Sequence, residues 1–318
     1  MKKYALFAAV LFCCSAVFAD DDPLELSLTT AVAYYPESER KTGDTHFSGI
    51  CGAFEGAQAA VTFDATYTVP FLQGSGDLTA DNSAKFSCAF ELSPISVMPS
   101  LSISFTPIAF LEFAVGGRAG TGWNLSEDLQ GISEFNADKP EYKDINAFSG
   151  WYLNGWASAC LMFDIGEVIE GDWTHVFATA TYKAGYQKLT GTNETIWNWQ
   201  AEYGMADGWI YEQEYMLGYQ MPTKLSMIAV GTTLTGHYKS SDFGDYSSSY
   251  DGDYMTVDIW PMAALTLTEK DDIYLMVDFT SRRSFKEKYD DIAHEPLMTK
   301  SGREWIFYYL GLQWKHKF

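Results

Sequence analysis

The stretch Glu304–Phe318, EWIFYYLGLQWKHKF, decides the fold of this chain, because apolar and mixed side chains alternate along it and it ends in an aromatic residue. In a β-strand, successive side chains point to opposite faces. One face of this strand is therefore expected to meet lipid: Ile306, Tyr308, Leu310, Leu312, Trp314 and Phe318. The remaining side chains point elsewhere: Trp305, Phe307, Tyr309, Gln313, Lys315 and Lys317.

This pattern resembles the closing strand of bacterial outer-membrane β-barrel proteins, where a C-terminal aromatic preceded by alternating apolar residues is the assembly signal. The resemblance implies that Trp314 and Phe318 belong to that signal and that the barrel-assembly machinery is a partner. His316 departs from the pattern, since an apolar residue is usual at its position. The resemblance implies a fold and a location, and it does not specify a function.

The N-terminal segment is typical of a signal peptide. Lys2 and Lys3 precede an apolar stretch, residues 4–18, and Val17-Phe18-Ala19 has the compact residues that a signal peptidase requires. We expect cleavage after Ala19, which leaves residues 20–318 as a single barrel domain. A lipoprotein acylated at Cys13 or Cys14 is the alternative, and the bulky Phe12 disfavours it.

Composition favours a sheet that crosses a bilayer. After the signal segment, no stretch of about 20 apolar residues is free of charge, so strands and not helices are expected to span the membrane. Aromatic residues make up 16% of the chain, which favours strands. The mean hydropathy of −0.13 is compatible with a barrel, because half of each strand faces water.

Charge and cysteine content exclude several classes of function. The net charge is −21, and it becomes −23 once the signal segment with its two lysines is removed. A nucleic-acid partner is not expected, because no segment clusters Lys or Arg. The remaining Cys51, Cys88 and Cys160 are odd in number and lack CxxC spacing, so they are interpreted as isolated thiols. No cofactor or metal is predicted.

Alternation along the chain predicts an all-β, antiparallel, up-and-down transmembrane barrel of about twelve strands, although ten or fourteen also fit. The predicted strands are residues 24–35, 57–71, 84–92, 97–105, 111–122, 151–163, 176–186, 209–220, 228–238, 255–265, 273–279 and 304–318. An even number leaves both chain ends on the periplasmic side. The longest predicted extracellular loops are residues 124–147 and the segment that ends at Asp207.

Polar side chains on the faces opposite the apolar ones should line the lumen. The candidates are Asp64, Glu91, Glu112, Arg118, Glu212, Glu214, Asp258 and Asp278, joined by Lys85, Lys183, His175 and His237. Acidic groups outnumber basic ones, which favours cations in a water-filled passage. Trp156, Trp260, Trp305 and Tyr309 also point inward, so the channel should be narrow or partly blocked. The alternative is that these residues only solvate or brace the wall.

Catalytic and metal motifs are weak. Asp44-Thr45-His46 is similar to the Asp-x-His of omptins, the outer-membrane proteases, with Asp290, Asp291, His294 and Glu295 on another loop, yet the second Asp pair of that family is not found in its context. A calcium site built from Asp242, Asp245, Asp251 and Asp253 lacks EF-hand spacing. Trp197, Trp199 and Tyr203 suit either a sugar-binding or host-binding surface or an interfacial belt. We predict a protein that is not an enzyme.

The expected function is passive passage or binding of small solutes at the outer membrane. The alternative is a structural or adhesive surface protein that displays acidic, aromatic loops to host ligands. Short phrases, among them Phe71–Gly76, Ser93-Pro94-Ile95, Thr106–Leu111 and Gly120–Trp123, resemble uncharacterised treponemal outer-membrane barrels. That resemblance implies no activity.

Overall fold

The computed structural model describes residues 23–76, 78–126, 129–289 and 291–318, so the predicted signal segment lies outside the described residues. The strands in chain order are β1 (Leu24–Ser38), β2 (His46–Phe47), β3 (Ile50–Pro70), β4 (Ser83–Ser93), β5 (Ser96–Ile108), β6 (Leu111–Gly122), β7 (Asn124–Ser126), β8 (Leu129–Gln130), β9 (Ile132–Asn136), β10 (Glu141–Asp144), β11 (Tyr152–Asp164), β12 (Val176–Leu189), β13 (Ile196–Trp199), β14 (Glu202–Ala206), β15 (Gly208–Gln220), β16 (Leu225–His237), β17 (Thr256–Thr266), β18 (Asp271–Phe285) and β19 (Lys300–Lys317). Three short 3-10 helices span Ile165–Glu167, Ser240–Tyr246 and Ile292–Leu297.

Twelve of these strands form one closed antiparallel barrel. The order around it is β1, β3, β4, β5, β6, β11, β12, β15, β16, β17, β18 and β19. The ring closes where β1 pairs with β19, from Ser27 opposite Lys317 to Tyr34 opposite Leu310. Closure satisfies the backbone groups of every edge, which a chain in lipid requires. The predicted twelve-strand, all-β fold is confirmed.

Alternation sorts the side chains of the barrel into two environments. Large apolar residues cover the outer face, as shown by Phe63, Leu101, Leu217 and Leu312, which are 41–66% exposed. Their neighbours along each strand point inward and are polar, small or packed against one another. The outer face is therefore the surface that meets lipid. Within the described residues, none of the helices is long and apolar enough to cross a membrane.

A β-bulge in β19 overturns part of the facing predicted for the C-terminal strand. Asp278 of β18 lies opposite Tyr309, but the next residue, Phe279, lies opposite Phe307, so Tyr308 is an extra residue. Side chains on the N-terminal side of the bulge therefore change faces. Ile306 is buried and Tyr308 packs against the interior, whereas Phe307 packs edge-on against lipid-facing Phe279. Beyond the bulge, Leu310, Leu312, Trp314 and Phe318 face outward as predicted.

The same bulge corrects the prediction for Trp305. This ring was expected to narrow the lumen, but it lies on the outer face, stacked on Phe47. Trp156, Trp260 and Tyr309 do point inward, and Trp260 and Tyr309 are almost fully buried.

The two ends of the barrel differ. We call the end that carries the connections after β1, β6, β12, β16 and β18 the loop end, and the opposite end the turn end. Residues 124–147 were predicted to be loop, but they contain β7–β10, and the segment before Asp207 contains β13 and β14. Four of these strands pair in the order β10, β9, β13, β14. This inner sheet is a second small layer at the loop end.

Candidate functional site

Eight of the predicted lumen residues lie on inward-facing positions of the barrel strands, whereas His175 precedes β12 and lies on no strand. Asp64 is on β3, Glu91 on β4, Glu112 and Arg118 on β6, Glu212 and Glu214 on β15, Asp258 on β17 and Asp278 on β18. Each is flanked along its strand by residues of the outer face. Of the other candidates, Lys183 pairs with Glu212 at 3.1 Å, and His175 pairs with Asp164 at 2.8 Å near the turn end. The structure thus gives the lumen an ionisable lining.

One half of the lumen is filled by apolar side chains. Inward residues of β15–β19 and β1 pack into a single cluster with Phe177 of β12. Its buried members are Ala33, Tyr35, Phe177, Ala201, Met216, Met227, Trp260, Met262, Ala264, Met276 and Tyr309. The indole N–H of Trp260 donates to Thr233 Oγ1 at 3.0 Å, so the ring is fixed. This half also carries inward-facing carboxyl groups, of which Glu214 and Asp278 are buried, so it offers a solute little accessible polar surface.

The opposite half, formed by β3–β6, is lined with small polar side chains. Inward residues here are mostly Ser, Thr and a few charged groups, and they are only half-buried although they lie inside the barrel. Thr66 Oγ1 lies 3.0 Å from Ser87 Oγ, and Ser104 donates to Glu112 at 3.2 Å. Because short side chains project little, water can reach this face of the lumen. The lumen is therefore asymmetric, with one packed half and one wet half.

A hairpin of β13 and β14 enters the lumen from the loop end. Trp199 pairs with Glu202, so the turn contains only Gln200 and Ala201, with φ of 52° and 61°. Positive φ at both central residues is what the type I′ turn of a tight hairpin requires. Ala201 is fully buried in the apolar cluster described above. The tip of the hairpin thus reaches the packed half of the barrel.

Gln200 attaches the same tip to the opposite wall. Its side-chain amide donates to Glu91 Oε1 at 2.9 Å and to Ser96 Oγ at 2.7 Å. Its backbone N–H donates to the carbonyl of Gly131 at 2.9 Å. All of these side chains are buried, so each hydrogen bond is protected from water and costly to lose. The hairpin therefore spans the lumen and is fastened on both sides.

Two tryptophans of β13, Trp197 and Trp199, fill the lumen at the level of the hairpin. Trp199 stacks on Tyr152 with ring centroids 5.1 Å apart and lies against Gly120, where a Cβ would come within 2.6 Å of its ring. The indole of Trp197 donates to Asp207 at 3.0 Å. Both tryptophans are at most 1% exposed. The predictions of a sugar-binding surface or an interfacial belt for these two residues are therefore wrong, because they form the core of a plug.

Charged groups of opposite sign meet beneath the plug. Arg118 donates to the Tyr152 hydroxyl at 3.4 Å, and its guanidinium lies over that ring. Glu202, the first residue after the hairpin turn, lies within electrostatic reach of Arg118 and Asp258. Burial raises the pKa of Glu202 to about 7, although Arg118 acts in the other direction and Asp258 adds to the rise. The plug thus carries a carboxyl group that titrates near neutral pH.

The weak catalytic and calcium-binding candidates are not assembled into sites. His46 Nε2 lies 3.1 Å from Glu304, and its Nδ1 lies 2.5 Å from the backbone oxygen of Asp44, not the carboxylate that an omptin-like dyad requires. Asp291 caps a 3-10 helix, and Glu295 binds Arg40. Asp290 lies outside the described residues.

The aspartates proposed as a calcium site make separate contacts with other residues. Asp242 binds His237 at 3.1 Å, and Asp251 binds Lys300 at 2.7 Å. Among the residues that the structure describes, no three His, Cys, Asp or Glu side chains are placed to hold a metal ion.

The sequence analysis did not identify Gln200, which fastens the plug, or Glu202, which places a carboxyl group on it. One signal was available, since Ile196-Trp197-Asn198-Trp199 is a strand-like run between Gly191 and Gly204. Nothing in that run indicates that it turns inward. Its destination depends on contacts with residues about one hundred positions away, such as Glu91.

No protein-family model and no curated protein matches this chain in sequence. Its fold is similar to that of solved bacterial outer-membrane barrels. An outer membrane channel from Pseudomonas putida F1 aligns with a TM-score of 0.48 at 9% identity, covering 94% of this chain and 97% of that one. The β domain of the Bordetella autotransporter BrkA gives 0.43 at 9% identity, with 93% and 100% covered. The Acinetobacter baumannii outer membrane channel DcaP gives 0.37 at 10% identity, with 93% and 96% covered. Similarity at this level concerns the architecture and carries no information about function.

Proposed function

We propose that this protein is a narrow outer-membrane channel for small hydrophilic solutes, closed at rest by the β13–β14 hairpin. The observation that carries the proposal is the asymmetric lumen, in which a wet wall on β3–β6 faces a plug fastened by Gln200. A barrel that served only as a rigid support would have no need of a half-exposed polar face inside it. The plug accounts for closure without filling that face.

Cation preference follows from the lining. Asp64, Glu91 and Glu112 lie on the wet wall, and Lys85 and Arg118 are its basic groups. Glu202 on the plug adds a further carboxyl above them. Low-dielectric walls focus this excess of negative charge, which raises the local concentration of cations. The preference is modest, because basic groups stand beside the acidic ones.

Outer-membrane location and export belong to the same proposal. The segment at residues 1–19 supplies the signal peptide, and Trp314 and Phe318, both exposed on the lipid face, supply the assembly signal. Outer-membrane lipid and the barrel-assembly machinery are then the partners. The spirochaetal resemblance is consistent with a bacterial outer membrane and adds no activity.

Planar-bilayer recording tests the channel proposal. The wild-type chain is compared with a variant in which residues 192–205 are replaced by a short Gly-Ser linker. Low or intermittent conductance is expected from the wild type, and a steadily open, cation-preferring pore from the variant. Anion preference in the open variant contradicts the acidic lining. The absence of conductance in both, with correct folding shown by circular dichroism, supports instead a structural or adhesive surface protein.

A further inference from the structure

Two arginines face each other on the outer surface of the barrel near the loop end. Arg283 of β18 lies directly opposite Arg303 of β19. Like charges in this relationship are destabilising unless something compensates them. Arg303 donates to Ser281 Oγ at 2.6 Å and to the Met255 carbonyl at 2.7 Å, and Arg283 donates to the Asp251 carbonyl at 3.1 Å. Among described residues, no carboxylate forms an ion pair with either guanidinium, although the chain carries a net charge of −21.

Aromatic rings hold the two guanidiniums in place. Arg283 lies 4.0 Å from the Tyr250 ring centroid and 4.9 Å from that of Tyr254. Arg303 lies 4.8 Å from the Tyr254 centroid on the same side of the barrel. Lys300 is the third cation around Tyr254, at 5.5 Å, and it is paired with Asp251 at 2.7 Å. The cationic cluster of Arg283, Lys300 and Arg303 is thus preorganised, and its arginines lack a counter-ion.

The height of this cluster matches the headgroup layer of a membrane. Phe279 and Phe307 form a lipid-facing edge-to-face pair with centroids 5.5 Å apart. Two residues before Phe307, towards the loop end, Trp305 stacks on Phe47, which is 79% exposed. Arg303 lies a further two residues towards the loop end. At about 3.3 Å per residue and a tilt near 40°, Arg303 lies roughly 10 Å above Phe307 along the membrane normal. Apolar, amphipathic and cationic side chains therefore follow in the order of a lipid monolayer.

An apolar groove lies beside Phe307, nearer to the membrane centre than the cluster. The β1–β19 ladder ends at Tyr34 opposite Leu310, and beyond it β19 pairs with β2 instead. The seam left between β1 and β19 is a groove of about 270 Å³, lined mainly by Tyr34, Pro36, Ile50, Ala53, Phe307 and Leu310. The side chain of Glu37 lies against Gly52 at its edge. This groove is on the lipid-facing surface, and its lining is almost entirely apolar.

We propose that the seam and the cationic cluster together bind one anionic phospholipid. Its phosphate lies between Arg283 and Arg303, where it relieves the repulsion between them, and one acyl chain fills the groove beside Phe307. Guanidinium groups bind phosphate through paired N–H donors, and each arginine retains donors beyond those used in the contacts above. The charge complementarity and the adjoining groove point to the same occupant. This site is separate from the lumen and does not depend on the channel proposal.

Native mass spectrometry of the full chain in detergent micelles tests this site. Dioleoyl phosphatidylglycerol and dioleoyl phosphatidylcholine, which share their acyl chains, are added at equal concentration. The wild type should retain phosphatidylglycerol about tenfold more strongly. Arg283→Gln combined with Arg303→Gln should reduce this retention to the level of phosphatidylcholine. The matched control is Lys286→Gln with Lys288→Gln, which removes the same charge from an exposed loop at the same end and should change nothing.

A conservative variant separates lipid binding from folding. Arg283→Lys with Arg303→Lys keeps both charges while removing the bidentate contacts that brace the loop, and it should retain much of the preference for phosphatidylglycerol. Equal retention of both lipids by the wild type overturns the proposal, as does undiminished retention by the double Gln variant. Complete displacement of phosphatidylglycerol by inorganic phosphate at millimolar concentration also overturns it, because the site would then bind free anions and not a lipid.

Discussion

Docking of the β13–β14 hairpin should depend on pH through Glu202. This residue directly follows the hairpin turn, and burial raises its pKa from 4.5 to about 7. Arg118 and Asp258 are the charged groups that act on it, and the hydroxyls of Tyr152 and Tyr308 also lie within its electrostatic reach. When the hairpin leaves the lumen, the carboxyl group enters water and returns to its ordinary pKa. The docked hairpin therefore binds a proton more tightly than the free one.

The sign and size of the effect follow from this difference. Below about pH 4.5 the carboxyl group is protonated in both states, so docking is at its strongest. Between about pH 4.5 and 7 only the free state loses its proton, and docking weakens by about 1.4 kcal/mol for each pH unit. Above pH 7 the loss is constant, at most about 3 kcal/mol, because Glu202 is half-buried and lumen water reduces the penalty. The docking equilibrium shifts by up to about a hundredfold.

Single-channel recording at pH 5 and pH 8 measures this shift as open probability. The wild type should open more often at pH 8. Glu202→Gln, which mimics the protonated carboxyl group, should remain closed at both values. Glu194→Gln is the matched control, because Glu194 lies on the same connection but is exposed to solvent, and it should behave as the wild type. A Glu202→Gln channel that keeps the full pH response refutes this reasoning.

Other substitutions address the plug, the barrel rim and the lining. Gly120→Val should raise conductance, because a Cβ at this position meets the Trp199 ring at 2.6 Å and displaces the hairpin; unchanged single-channel conductance contradicts this. Glu304→Ala should lower the thermal unfolding midpoint in detergent, because it leaves the buried Arg282 without its carboxylate, at a cost of about 3–5 kcal/mol. An unchanged midpoint, read as the temperature at which the gel mobility changes, shows that the pair is not stabilising. Asp64→Asn with Glu112→Gln should move the cation-to-anion permeability ratio towards unity, measured as the reversal potential in a salt gradient, and an unchanged potential excludes these residues from the conduction path.

The barrel was predictable because its signal is local and repeated. Period-two alternation in each segment identified the twelve strands, and the outer face follows directly from it. The ends of the strands were harder to predict. The strand predicted from Ala57 begins at Ile50, because β1 and β3 continue pairing beyond the lipid-facing alternation. This extension mixes the large apolar Ile50 and Phe54 with small residues and Glu55, so it shows no clear alternation.

The bulge at Tyr308 shows where alternation stops being informative. Ile306 and Tyr308 on one face compete with Trp305 and Phe307 on the other, and both sets are apolar or aromatic. A shift of one residue therefore leaves the hydrophobic pattern intact, so the sequence supports either facing. The register is decided by partners far away, such as Tyr35 of β1, which packs against Tyr308.

The plug could not be predicted from the sequence for a different reason. Hydrogen bonds from Gln200 reach residues of β4 and β5, and its neighbour Ala201 belongs to a cluster of side chains from seven other strands. Local propensity describes a hairpin in this segment but cannot state whether it projects into solvent or folds back into the barrel. The difference between the wet and packed halves of the lumen could not be predicted either, because the strands of both halves follow the same alternation.

The turn of the inserted hairpin stores conformational energy. Left-handed backbone is unfavourable by about 1 kcal/mol or more for residues with a Cβ, and tight turns of this type favour Asn-Gly. This chain has Gln200 and Ala201 there instead. The turn is therefore strained, and the surrounding contacts hold it in a conformation that its own residues do not favour. Withdrawal from the barrel relaxes the turn, so the strain released there adds to solute binding, or to proton loss from Glu202, in favouring the open state.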